Sequence, residues 1–167
     1  WSLADLSGPG SLTLSAGNNI TLQGTALASS SISAGKGWNV NLFAGTSFSL
    51  SDSKLKPDSG TDSLLLNGNS YIESQNGNIK ISAANDVLVN SAVTTSGGTM
   101  GIRTRAGGNI DVTAQYGNVN TGGNASGFSF SGLKGVSIST TLGGISTAAG
   151  GDVNITAGGD VISFPTS

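Results

Sequence analysis

The stretch "GGDVNITAGGDVI", residues 150–162, constrains the fold of this chain more than any other feature. Its phrase is Gly, then Asn or Asp, then Ile or Val, any residue, an aliphatic residue, any residue, then Ala or Gly. "GNIKISA" (77–83), "GNIDVTA" (108–114) and "GDVNITA" (151–157) match it. "NNITLQG" (18–24) and "WNVNLFA" (38–44) match with a changed first residue, and "NDVLVNS" (85–91) and "GNVNTGG" (117–123) are weaker copies. Within a copy the apolar residues alternate: Val153, Ile155 and Ala157 oppose Asp152, Asn154 and Thr156, as Ile79, Ile81 and Ala83 oppose Asn78, Lys80 and Ser82. Period two is strand periodicity. Abundant β-branched residues and frequent Gly disfavour helices.

The first inward residues of successive strands include Ile20, Ile32, Val40, Phe48, Leu64, Ile72, Ile79, Val87, Ile102, Ile110, Val119, Phe128, Val136, Ile145, Val153 and Val161. Most steps between them are about eight or nine residues, the spacing of an all-β fold. A sandwich of hairpins would use turns such as Asn67-Gly68 and Asn76-Gly77 between antiparallel strands. The phrase, however, reads in one direction each time and puts the same residue type at the same point of each strand. That suits parallel strands stacked in register, each residue on its counterpart about 4.8 Å away. The expectation is a parallel β-helix, a solenoid with three faces, about 24 residues per coil and about six or seven coils. Two-faced coils are the alternative cross-section. Interior columns are expected to contain Ile20, Val40, Ile79, Ile110, Val136 and Val153, with Gly, Asn and Asp supplying positive φ at the corners.

Composition bounds the function classes. Gly contributes 27 residues and only 10% are charged, yet 36% are hydrophobic and evenly spaced, which argues for order. With 7 basic against 9 acidic residues, nothing gathers a cationic face for a phosphate backbone, so no nucleic-acid partner is expected. No apolar run reaches the roughly 20 residues of a membrane span, and no signal peptide is expected within residues 1–167. The chain starts in mid-phrase at Trp1, so residues 1–167 are read as one β-helix repeat segment of a longer chain. The absence of Cys suits a secreted bacterial protein that crosses membranes without forming disulfides, and suits a cytosolic one equally.

The phrases "GNIKISAANDVLV", "GGNIDVTAQYGNVNT" and "GGDVNITAGGDVI" resemble the haemagglutinin-type repeats of filamentous haemagglutinin-like exoproteins, the secreted partners of two-partner secretion systems in Gram-negative bacteria. The resemblance covers most of residues 10–163 apart from about 51–63. It implies a right-handed β-helix exported through an outer-membrane transporter, in a family of adhesins, toxin carriers and filaments. The family's secretion domain carries Asn-Pro-Asn motifs, and Pro9, Pro57 and Pro165 are in no such setting. The chain therefore resembles the repeat shaft.

Without His or Cys, a catalytic triad or a His/Cys metal site is excluded. The carboxylates are Asp5, Asp52, Asp58, Asp62, Glu73, Asp86, Asp111, Asp152 and Asp160. Asp86, Asp152 and Asp160 take the position that Asn fills elsewhere, and are read as turn residues bonding their own backbone. Asp111 is placed on an outward strand position, within reach of a basic neighbour. "GGNIDVTAQ" and "GGDVNITAG" both depart from the calcium-binding nonapeptide, so no metal site and no cofactor are expected. Residues 51–63, "SDSKLKPDSGTDS", break the rhythm and are read as a protruding loop. "RTR" (103–105) puts Arg103 and Arg105 on an outer face, with Ile102 and Thr104 inward. Arg103, Arg105, Lys54 and Lys56 are the candidate weak ligand contacts, and the two arginines are read chiefly as partners of nearby carboxylates. Trp38, Tyr71, Tyr116 and Phe43 are rings that a sugar could meet; for Trp38, parity with Val40 and Leu42 favours packing. Asn19, Asn124 and Asn154 fit the N-glycosylation acceptor pattern, which the repeat phrase generates by itself; amide ladders along a corner are their structural reading.

The leading expectation is a non-enzymatic, rigid extracellular shaft of a secreted adhesin or surface filament. A host or cell-surface glycan or protein is its candidate partner, and further coils are expected to continue at one end or both, from the same long chain or from another copy stacked end to end. The rival is a carbohydrate-active β-helix: a polysaccharide lyase, a hydrolase or a phage tailspike. An ice-binding face is disfavoured because Thr94, Thr95, Thr104, Thr113, Thr140 and Thr141 keep no common register.

Overall fold

The computed structural model describes residues 2–3, 8–25, 27–49, 54–57, 60–90, 101–122, 128–133, 136–142 and 144–163; at 2–3, 47–49, 54–57, 90, 128–133 and 136–142 the description is of the backbone. These residues form strands and turns without a helix. The nineteen strands among them, numbered in chain order, fall into three five-stranded sheets and two two-stranded ones. Sheet A holds β1 (Ser2–Leu3), β4 (Ser30–Ala34), β9 (Ser70–Ser74), β12 (Gly101–Thr104) and β17 (Ile145–Thr147). Sheet B holds β2 (Gly10–Ala16), β5 (Trp38–Ala44), β10 (Ile79–Ala83), β13 (Ile110–Ala114) and β18 (Val153–Ala157). Sheet C holds β3 (Ile20–Gln23), β8 (Leu64–Asn67), β11 (Val87–Asn90), β14 (Val119–Asn120) and β19 (Val161–Ile162). Every pairing inside these sheets is parallel. Among the described residues the chain visits A, B and C in turn and returns to A beside its previous strand, making five passes.

Five passes replace the expected six or seven because two segments leave the rhythm. β6 (Thr46–Ser49) and β7 (Lys54–Pro57) pair antiparallel between β5 and β8. β15 (Phe128–Leu133) and β16 (Val136–Leu142) do the same between β14 and β17. Phe48, Phe128 and Val136 therefore join no parallel column: Phe48 lies opposite Leu55, Phe128 opposite Leu142 and Val136 opposite Leu133. Their period-two alternation was read correctly as strand, but alternation alone does not distinguish a parallel rung from a hairpin arm. The same hairpin puts strand β7 inside the stretch 51–63, where the broken rhythm predicts a loop, while Ser63, at its end, is buried.

The phrase explains sheet B position by position. Leu12, Val40, Ile79, Ile110 and Val153 form one column, and Leu14, Leu42, Ile81, Val112 and Ile155 the next. Ala16, Ala44, Ala83, Ala114 and Ala157 form a third, at the strand ends. Val40, Leu42, Ile79, Ile81, Ile110 and Val112 are fully buried with Leu64, Leu66, Val87 and Val89 of sheet C and Ile72 and Ile102 of sheet A. Each such side chain contributes about 1.5–3 kcal/mol by leaving water. The outer passes bury less: Ile20 is half-buried and Val153 is exposed, so the expected column residues at the two ends are interior in direction but not in burial. The phrase's leading Gly has a steric cause. A Cβ on Gly77 would strike the Trp38 carbonyl, one on Gly108 the Gly77 carbonyl, and one on Gly151 the Gly108 carbonyl. Gly108 and Gly151 also adopt φ of +97° and +105°, a region that L side chains avoid.

Candidate functional site

On β9 and β12 the residues one place after the core isoleucines, Glu73 and Arg103, lie side by side in register. Parity turns them away from Ile72 and Ile102, yet both are buried. Arg103 Nε donates to Glu73 Oε2 at 2.7 Å, with side-chain exposures of only 8% and 10%. The Arg103 guanidinium lies 4.7 Å from the Tyr71 ring centroid, a cation–π contact. Arg105 Nη1 reaches Glu73 Oε1 at 3.5 Å from a side chain that is 35% exposed. One carboxylate thus holds two guanidinium groups. Ser33 and Ser146 extend the same column on either side, and Ser146 Oγ is buried without a hydrogen bond. Thr104 is fully buried, as its parity required, and its hydroxyl donates to the Gly108 carbonyl at 3.2 Å. Ser74 and Thr147 sit in register with it: Ser74 Oγ donates to the Trp38 carbonyl and Thr147 Oγ1 to the Gly151 carbonyl.

The second constellation runs along two corners. Ahead of sheet C, Ser63 N–H donates to Asn19 Oδ1 (2.7 Å), Asp86 N–H to Ser63 Oγ (3.1 Å), Asn118 N–H to Asp86 Oδ1 (2.7 Å) and Asp160 N–H to Asn118 Oδ1 (2.7 Å). Ahead of sheet B, Asn78 N–H donates to Asn39 Oδ1 (2.8 Å), Asn109 N–H to Asn78 Oδ1 (2.8 Å) and Asp152 N–H to Asn109 Oδ1 (3.0 Å). In each step the side chain of one pass accepts the backbone N–H of the next. This corrects the reading of Asp86 as a turn residue bonding its own backbone. It also corrects the amide-ladder reading for Asn19, whose carbonyl oxygen meets a backbone donor. Short side chains with an oxygen at Cγ or Cβ fit because the neighbouring strand is about 4.8 Å away.

The remaining sequence candidates are dispersed. Lys54 and Lys56 lie on β7, in the first hairpin, and their side chains are outside the described residues. Asp5, Asp52, Asp58, Thr94, Thr95 and Asn124 are also outside them. Asp111 accepts from Asn154 Nδ2 at 2.9 Å on the outer face of sheet B, so its partner is an amide rather than a base. Trp38 packs against the core and donates from Nε1 to the Gly8 carbonyl, whereas Tyr116 is exposed. Among the described residues, no three acidic side chains gather as a metal site, and no helix is long and apolar enough to cross a membrane. The Glu73–Arg103 pair was missed as a pair. Aligning "YIES" (71–74) with "GIRT" (101–104) on their isoleucines places the two residues in one column, and that alignment was available from the repeat. Compared with protein families, curated proteins and solved structures, the chain matches none.

Proposed function

We propose that the three sheets wind as a right-handed parallel β-helix, and that the chain is a rigid, non-enzymatic shaft segment of a secreted adhesin or surface filament. The handedness follows the strong preference of parallel strand–crossover–strand connections for the right-handed sense. The observation that carries the shaft reading is the interchangeability of the passes. The alanine column, the aliphatic columns and the corner ladders repeat with the same register. A body whose rungs are equivalent can be lengthened rung by rung without a new core, which suits a spacer. The buried Glu73–Arg103 pair favours a scaffold role, since both charges are spent on each other. Export through an outer-membrane transporter and display outside the cell rest on the repeat phrases.

Protease treatment of intact source cells, with antibody detection in cells and medium, tests the reading. Protein recovered from the medium, or digested on intact cells, is the expected result; protein protected until lysis overturns it. Release of reducing sugars or unsaturated products from a polysaccharide panel would replace the shaft with the carbohydrate-active reading.

A further inference from the structure

We propose that the Asn76-Gly77 bond is a deamidation site held shut by the fold, with Ser74 and the Gly37 amide as the lock that keeps it from closing to a succinimide. The inference rests on hydrogen bonds at the corner between sheets A and B, and on neither export nor adhesion.

Asn followed by Gly is the pair most prone to this reaction, because Gly has no Cβ to obstruct the attack. The Gly77 nitrogen gives its proton to hydroxide and bonds to Asn76 Cγ. The Cγ–Nδ2 bond breaks, and Nδ2 takes a proton from water and leaves as ammonia, which returns the hydroxide. Water then opens the ring at either carbonyl, giving Asp or isoaspartate. Isoaspartate routes the main chain through Cβ and Cγ, one carbon longer than before. Directly ahead of β10, that carbon would push Ile79 and Ile81 out of register with Val40 and Leu42 on one side and with Ile110 and Val112 on the other.

Both reacting groups are held apart from this course. Gly77 N–H donates to Ser74 Oγ at 2.9 Å in a buried site, and Ser74 Oγ donates in turn to the Trp38 carbonyl at 2.9 Å. Gly37 N–H donates to Asn76 Oδ1 at 2.6 Å, which ties the carboxamide to the preceding pass. The nitrogen reaches Cγ only after leaving Ser74, and the carboxamide turns only after releasing Gly37. Ser74 is fully enclosed, so no water stands ready to replace its hydroxyl, and breaking the bond leaves a buried donor unpaired. Gly77 also packs so close to the Trp38 carbonyl that a Cβ would strike it, which leaves the backbone little room to swing. The arrangement is particular to the third pass. In the next two passes Gly107-Gly108 and Gly150-Gly151 occupy the same register, and the Thr104 and Thr147 hydroxyls donate to the Gly108 and Gly151 carbonyls.

Peptide mapping by mass spectrometry, on protein incubated in mildly alkaline buffer, follows Asn76 in native wild type, in wild type held in denaturant, and in Ser74→Ala, Ser74→Thr and Val40→Ala. In denaturant Asn76 should convert, as should Asn67 of the other Asn-Gly pair in the sequence, while in native wild type Asn76 stays intact over the same period. Ser74→Ala should speed native conversion at Asn76 about tenfold or more. Ser74→Thr keeps a hydroxyl, as Thr104 and Thr147 do in register, and should restore protection. Val40→Ala weakens the same stack without touching the lock and should leave Asn76 intact, which separates the lock from general unfolding. Hydrogen exchange reads the lock in wild type itself: the Gly77 amide should exchange as slowly as those of Val40 and Ile79, which donate to the Asn78 and Asn109 carbonyls. Should Ser74→Ala not fold, Ser74→Thr and the Gly77 amide decide. The proposal is overturned by an Asn76 that converts in native wild type as fast as in denaturant, or by a folded Ser74→Ala no faster than wild type or than Val40→Ala. A Ser74→Thr as labile as Ser74→Ala, or a Gly77 amide that exchanges like an open one, overturns it as well.

Discussion

Sheets B and A are laid down by the same five passes but solve different problems. In sheet B, β10 and β13 alternate buried and open, with Lys80 and Asp111 exposed opposite the aliphatic columns. In sheet A, β12 is buried at all four positions, and β9 at every position except Tyr71 and including the outward-facing Glu73. One face of B is solvated, whereas both faces of A are covered around the Glu73–Arg103 pair. The repeated phrase therefore describes B, where each pass can copy the last. Sheet A carries what is particular to this chain, because a charge can be buried there only beside a specific partner.

The sharpest way to break this contrast is Ile110→Asp. Ile110 is fully enclosed in sheet B with no polar neighbour in its column. An unpaired buried charge there should cost more than about 5 kcal/mol and leave little cooperative thermal transition. A melting midpoint within a degree or two of wild type would show that the columns do not carry the fold.

Sheet A predicts a different pattern. Glu73→Ala strands Arg103 in a buried site and should cost about 3–5 kcal/mol in denaturant unfolding. Replacing both members, Glu73→Leu with Arg103→Met, should return most of that loss, because two desolvation costs disappear together. Arg105→Ala should matter little, since its side chain is 35% exposed and its contact is longer. A double variant no better than Glu73→Ala would mean that the pair positions its surroundings rather than merely neutralising itself.

These differences mark how far the sequence could be read. The parallel stacking, the inward columns and the corner Gly positions were legible because each is a local rule repeated: period two, one direction, one residue type per rung. The hairpins at 46–57 and 128–142 were not, since Phe48 and Phe128 alternate with polar neighbours just as rung residues do. The burial of Arg103 was hidden for another reason. Parity placed it outward, correctly, but its burial goes with an ion pair to Glu73 and a contact with the Tyr71 ring on the adjacent strand, and such pairing leaves no period in the strand itself.

The corner ladders sharpen the comparison at lower energy, because they tie the passes together independently of either sheet's core. Asp86→Ala removes the acceptor of Asn118 N–H and should cost about 1–3 kcal/mol. Asp86→Asn should recover nearly all of it, since Asn serves as the acceptor at 19 and 118 of the same ladder. An Asn variant as unstable as the Ala variant would assign the role to the negative charge instead of the acceptor oxygen.

The smallest effect tests whether burial belongs to the residue or to the stack. Val153 and Ile110 share one column and one place in the phrase, yet one is exposed and the other enclosed. Val153→Ala should cost less than about 1 kcal/mol in dilute solution, because water already reaches much of the side chain and no closed cavity is left behind. Val40→Ala, in the same column between two passes, should cost about 2 kcal/mol or more, the transfer term plus the void. Denaturant unfolding curves of both variants give the comparison. A Val153→Ala penalty equal to that of Val40→Ala would mean that the fifth pass is already covered.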